Sequence, residues 1–323
     1  MKSTRLYILF FTAFLGFSAW GQQDVQLSQQ QFSRININPA STGFSNYANA
    51  YLFARQQWMG FEGAPSTQMF NAQGFIEDIR SGMGLSILND VVGHNKTFSM
   101  QFAYAHHMKM GEESFLSLGL SGGMVNRRFG GNIIFVDPEI DPEIIRLANN
   151  GEAKLRPDMN LGFVYSTPKL SFGFSTTHLT RYLYRPDEWF KLPLHAYAFA
   201  EYGIEINETM RVTPCIQATS VVWSNNGDTI FSIPKFGLQF DAGFTFSIKD
   251  MLWIGATYRN GDAIIGMIGF QFGPNLRFGY SYDMRLGSAF KNVRTFGSHE
   301  IMLNYRLRLS EEQDFEYSPR FFD

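Results

Sequence analysis

Six histidines, one cysteine and scattered carboxylates are the groups in this sequence able to ligate a metal or move a proton. His106 and His107 are adjacent in an extended segment, so their rings point to opposite faces and cannot share an ion. HExxH, EF-hand, Walker-loop and GxSxG patterns are absent, and Gly82-Met83-Gly84 lies within a strand rather than opening a helix. A lipid-face hydrolase needs a serine beside a histidine on neighbouring strands. His178 and His299 have serines nearby, but at no diagnostic spacing. Asp137, Glu139, Asp141, Glu143 and Glu152 fall in the longest loop without calcium-loop spacing and read as a solvated acidic loop. Cys215 alone permits neither an intrachain disulfide nor a cysteine-based metal cluster. The expectation is a non-catalytic protein with no cofactor and no metal.

Aromatic and arginine groups are more suggestive. Segment 180–193 carries Arg181, Tyr184, Trp189 and Phe190, and segment 58–65 carries Trp58 and Phe61. Exposed aromatics and arginines anchor protein interfaces, and they also form the aromatic belt at lipid headgroups. These six are the candidate partner-binding residues. Arg55 and Asp90 are expected to point into a barrel mouth and fix loops by ion pairing, since charge at such depth is tolerable only on a lumen side.

The elements that position these groups follow from period and composition. Charged residues make up 17% and aromatics 16%, led by 33 Phe, and the net charge of −2 offers no footprint for nucleic acid. Lys2 and Arg5, the apolar run Leu6–Phe17 and the small-x-small site Ala19-Trp20-Gly21 read as a signal peptide over 1–21. Beyond it no apolar run is long enough for a membrane helix. Residues 275–286 alternate strictly: Leu276, Phe278, Tyr280, Tyr282, Met284 and Leu286 face one way, Arg277, Ser281 and Asp283 the other. Segment 299–309 sets Ile301, Leu303, Tyr305 and Leu307 against Glu300, Met302, Asn304 and Arg306, and 236–248 behaves alike.

About fourteen such segments fill 46–309. Most have the 9–11 residues that cross a bilayer at a tilt. Short turns such as Thr167-Pro168-Lys169 alternate with longer loops at 58–65, 91–96, 129–157, 180–193, 224–233 and 287–296, and Asn260-Gly261 breaks the pattern. The expected fold is all-β: an antiparallel transmembrane β-barrel of outer-membrane type, embedded in the lipid bilayer, with both termini on the short-turn, periplasmic side. Glycines within strands, among them Gly82, Gly119 and Gly122, read as curvature or as room for groups crossing the lumen. Residues 22–45, rich in Gln, Asn and Ser, are expected to form a lumen plug or a periplasmic segment, and 310–323 a periplasmic tail.

Several strings, in order, resemble one family. Gln29-Gln30-Gln31-Phe32 and Asn36-Ile37-Asn38-Pro39-Ala40-Ser41-Thr42-Gly43 are similar to the opening of PorP/SprF proteins. Arg55-Gln56-Gln57-Trp58, Gly63-Ala64-Pro65-Ser66-Thr67, Gly84–Asp90 with Gly93, Tyr104-Ala105-His106, Leu116–Gly123 and Gly297–Leu303 continue the likeness through the mature chain. The resemblance implies an outer-membrane protein of the Bacteroidota type IX secretion system. Its implied partners are a secreted surface protein with a type B C-terminal domain, such as a gliding-motility adhesin, and type IX secretion components. The implied role is export and surface anchoring of that cargo. A porin or small-solute transporter is the alternative that the residues alone leave open.

Overall fold

The computed structural model describes residues 24–45, 47–130, 153–183, 192–223, 235–249, 251–286 and 296–308. Alternating segments form β1 (Tyr47–Gln56), β2 (Ser66–Ile76), β3 (Ser81–Val92), β4 (Asn95–Lys109), β5 (Phe115–Phe129), β6 (Ala153–Ser166), β7 (Leu170–Thr177) and β8 (Leu194–Tyr202). They continue as β9 (Ile204–Asn207), β10 (Met210–Trp223), β11 (Lys235–Ile248), β12 (Leu252–Arg259), β13 (Ala263–Phe272), β14 (Leu276–Arg285) and β15 (Ser298–Arg308).

Neighbours pair antiparallel all the way round. β1 pairs with both β2 and β15, and β10 with both β8 and β11, so the sheet closes on itself. β9 stands in line with β8 beyond Gly203 and pairs with the start of β10, so fifteen segments make a wall of fourteen strands. In lipid no water can satisfy a free sheet edge, and closure removes the edge. Among the described residues no helix is long and apolar enough to cross a membrane.

The two faces of the wall sort as the alternation requires. On β15, Ile301, Leu303, Tyr305 and Leu307 are exposed outward while Glu300, Met302, Asn304 and Arg306 are buried inward. On β4, His106 faces outward and His107 is buried inside. Large apolar side chains outside and polar ones within invert the order of a soluble sandwich and match a wall solvated by lipid.

Turns at one end are short throughout: 77–80, 110–114, 167–169, 208–209, 249–251 and 273–275. The other end carries most of the longer connections. Two boundaries differ from expectation. The loop expected at 91–96 is the two-residue link Gly93-His94, because β3 and β4 both run further; Gly93 adopts a φ of 56°. β6 begins at Ala153 rather than near residue 158, because its pairing with β5 extends up to Arg128. Loop residues 131–152 and 224–234, which hold the acidic cluster, and the segments 1–23 and 309–323 lie outside the described residues.

β15 ends at the short-turn side, where β1 begins. The segment ahead of β1 instead climbs the lumen, and its first described residue, Asp24, touches His178 and His195, which flank the β7–β8 loop at the opposite end.

Candidate functional site

Residues 24–45 occupy the lumen, and their composition explains how. A barrel wall offers a segment inside it mainly polar side chains, so a plug built from Gln, Asn, Ser and Thr finds hydrogen-bond partners there. Leu27, Phe32, Ile35, Ile37 and Ala40 are buried, as are Gln29, Asn38 and Thr42. Phe32 and Leu27 pack with Phe53, Met69, Trp253, Ile265 and Met302 in an apolar cluster inside the lumen.

At the short-turn end the plug is seated by shape. The 3-10 turn η2 (Pro39–Ser41) is capped by Asn38, whose side chain accepts from the Ala40 N–H at 3.0 Å. The Asn38 amide donates to the Phe163 carbonyl at 3.2 Å, and His107 Nε2 donates to the Thr42 carbonyl at 3.0 Å. Here plug backbone lies directly on wall backbone. A Cβ on Gly82 would land on the Thr42 carbonyl, and one on Gly119 on the Pro39–Ala40 peptide. Of the strand glycines read as curvature or clearance, these two are clearance, whereas Gly122 has nothing within 4 Å of its Cβ position.

At the long-loop end the plug is held by charge. Glu300 accepts the backbone N–H groups of Ser28 (2.7 Å) and Gln29 (2.8 Å), which lead into the 3-10 turn η1 (Gln30–Phe32). The Ser28 hydroxyl donates to Asp283 at 2.6 Å. Arg55 binds Asp283 at 2.7 Å and Glu300 at 3.3 Å, and it also reaches the Ser28 hydroxyl. Arg259 pairs with Asp241 at 3.1 Å and reaches the Leu27 carbonyl at 3.4 Å. Arg55, Asp283 and Glu300 are 3%, 3% and 0% exposed, so removing Arg55 leaves Glu300 buried without a cation and Asp283 with only Arg259, at 3.8 Å. Lower in the lumen, Arg34 forms an ion pair with Glu201 and lies over the Phe199 ring at 4.2 Å.

Across the mouth, Asp24 meets the opposite wall. His178 Nε2 donates to its carboxylate at 3.0 Å, Tyr197 OH at 3.0 Å and Thr177 Oγ1 at 3.3 Å. Behind His178, Asp158 accepts from Nδ1 at 2.8 Å. Burial works to raise the Asp24 carboxyl, but His178 beside it prevails and holds it well below the usual carboxylate range. Burial likewise opposes charge on His178, and the two carboxylates outweigh it and keep the ring protonated well above its ordinary range.

Beside the plug a cavity of ≈ 340 Å³ opens among β3 to β6, bordered by Asp90, Gln101, Arg127, Asp158 and His178.

Arg55 sits in the charge network just described. Asp90 accepts from Thr67 at 2.6 Å and borders the cavity. The two do not pair with each other. Trp58, on the β1–β2 loop, has the Arg285 guanidinium 4.6 Å over its ring, and Phe61 on the same loop is exposed. Arg181 lies on the short 3-10 segment η4 (Leu179–Leu183) between β7 and β8. In a ring of fourteen, β1 and β7 are six strands apart, so Trp58 and Phe61 stand across the mouth from Arg181. Tyr184, Trp189 and Phe190 lie outside the described residues. Asp24, His195 and Arg259 carry no local signal in the sequence, and His178 carries only a nearby serine. For Asp283 and Glu300 a signal existed: a carboxylate on the lumen face of a spanning strand requires a partner.

A family model described as "Type IX secretion system membrane protein PorP/SprF" matches residues 19–305. No curated protein matches the chain. Among solved structures the chain is similar to the CymD monoaromatic hydrocarbon channel, with 11% identity and a TM-score of 0.53 over 90% of this chain and 95% of that one. It is also similar to a FadL homologue of Pseudomonas aeruginosa, at 14% identity and TM-score 0.47 over 84% and 93%. Omp33 of Acinetobacter baumannii follows at 8% and 0.44 over 81% and 98%. At these identities the likeness to CymD shows the outer-membrane barrel fold alone.

Proposed function

This chain belongs to the PorP/SprF family of type IX secretion system membrane proteins, and on that premise we propose a non-catalytic role in it. The barrel binds the C-terminal domain of a type IX-secreted cell-surface protein at its long-loop mouth, aiding export and surface anchoring. The short-turn end, where β15 finishes, faces the periplasm, and the long-loop end faces outward.

One observation carries this reading: the plug is tied into the lumen by the buried Arg55–Asp283–Glu300 network. A lumen filled this way is poorly suited to solute flow, and it leaves the rim as the surface for recognition. Trp58, Phe61 and Arg181, with Tyr184, Trp189 and Phe190 of the same long-loop set, supply the aromatic and arginine anchors that interfaces use.

The test is a pull-down of the tagged barrel from native outer membranes in mild detergent, with mass spectrometry. Stoichiometric recovery of a large secreted protein with a C-terminal targeting domain is expected. Recovery of the barrel alone, from cells shown to secrete such cargo, overturns the anchoring role. The cavity beside the plug favours a second reading, passage of a small solute. Stable single-channel conductance from the intact barrel would select it.

A further inference from the structure

Asp24, His178 and His195 each offer one ligand atom, and these atoms lie within 4.8 Å of one another. They come from three segments of the chain: the start of the plug, the residue after β7 and the second residue of β8. The Asp24 carboxylate is 3.0 and 3.2 Å from His178 Nε2 and 3.3 Å from His195 Nδ1. Ligand atoms bound at zinc's bond lengths in a tetrahedron stand about 3.3–3.4 Å apart. The cluster therefore needs side-chain adjustments on the order of an ångström to close on one ion.

The surroundings of the two rings point the same way. Metal-bound histidines characteristically donate the other ring N–H to a carboxylate or a backbone carbonyl, which fixes the tautomer. His178 Nδ1 donates to Asp158 at 2.8 Å, leaving Nε2 for a ligand bond. His195 Nδ1 donates to the Pro193 carbonyl at 3.0 Å, and its Nε2 accepts from the Asp24 backbone N–H at 3.1 Å, a hydrogen bond that ligation through Nε2 would have to replace. The ring centroids are 5.9 Å apart and the planes are inclined at 71°, so the imidazoles converge rather than stack. His178 holds a φ of 62°, unusual for a non-glycine residue.

We propose that Asp24, His178 and His195 form a zinc-binding site that fastens the outer end of the plug to the β7–β8 wall, with Asp158 and Pro193 orienting the two rings. Two imidazoles and a carboxylate suit zinc, and three protein ligands leave a fourth tetrahedral position for water. Asp24 and His178 both border the lumen cavity, which gives that position an aqueous side. Binding displaces the proton that His178 shares with Asp24. The metal-free alternative is an ion pair between His178 and Asp24, with His195 accepting from the Asp24 backbone N–H. The site is independent of any cargo role.

The test uses the full chain with a histidine-free tag, folded in detergent, stripped with a chelator and titrated with zinc by calorimetry. One equivalent is expected to bind, with an accompanying rise in the unfolding temperature, and cobalt substitution is expected to give the intense visible absorption of a tetrahedral ion. H178A and H195A should each abolish stoichiometric binding. D158N, which removes no ligand, should weaken zinc by about 10–100-fold. Absence of stoichiometric zinc binding by the wild-type barrel overturns the proposal, as does equal binding by an H178A/H195A double variant that still migrates as a folded barrel.

Discussion

The plug is held in opposite ways at its two ends. At the short-turn end, backbone lies on backbone: Thr42 over Gly82, and the Pro39–Ala40 peptide over Gly119. At the long-loop end, buried carboxylates and guanidinium groups clamp Leu27, Ser28 and Gln29, while Asp24 meets a pair of histidines across the mouth. Close packing has no second arrangement of similar energy, because an added methyl group must displace main chain. A charge network is different, since its members can exchange one partner for another. The short-turn end is thus seated by main-chain contact, whereas the long-loop end is held by side-chain charge.

Breaking the charged end should have the largest effect. Arg55→Ala leaves Glu300 buried without its cation and Asp283 with only the more distant Arg259, and should cost about 3–5 kcal/mol. The measurement is the urea unfolding midpoint in detergent or lipid, and intermittent conductance is expected as the outer half of the plug loosens. Gly119→Val attacks the shape-held end by placing a side chain on the Pro39–Ala40 peptide. Overpacking of this kind should cost about 1–3 kcal/mol in the same titration. Asn38→Ala removes the cap of η2 and the link to Phe163, for about 1 kcal/mol. Gly122→Ala sharpens the contrast with Gly119: its Cβ position is open, so stability should stay within about 0.5 kcal/mol of wild type. Equal losses at Gly119 and Gly122 would mean that both glycines serve wall curvature rather than plug clearance.

Much of the wall was readable because its information is local. The period of two over 275–286 and 299–309 places Leu303 and Tyr305 in lipid and Glu300 and Asn304 in the lumen with no knowledge of partners. The same alternation sends Arg55 inward. Its partners were not readable, because Asp283 is 228 residues away and meets it only through the register of barrel closure. Asp24 and His178 are 154 residues apart, and no spacing rule links a plug to the wall it lies against. Gly82 and Gly119 were visible as strand glycines, but curvature and clearance have the same local signature, and only the plug distinguishes them. The polarity of 22–45 left a lumen plug, a cap on the periplasmic mouth and a disordered lead-in all open. Its climb toward the long loops follows from where Glu300, Asp283 and His178 wait for it.

Single-channel recording in a planar bilayer tests the plug most directly, comparing the intact barrel with a variant lacking residues 24–42. The intact barrel should be silent and the shortened one should conduct steadily through its emptied lumen. Equal, stable conductance from both would show that residues 24–42 do not seal the barrel, and would contradict the account.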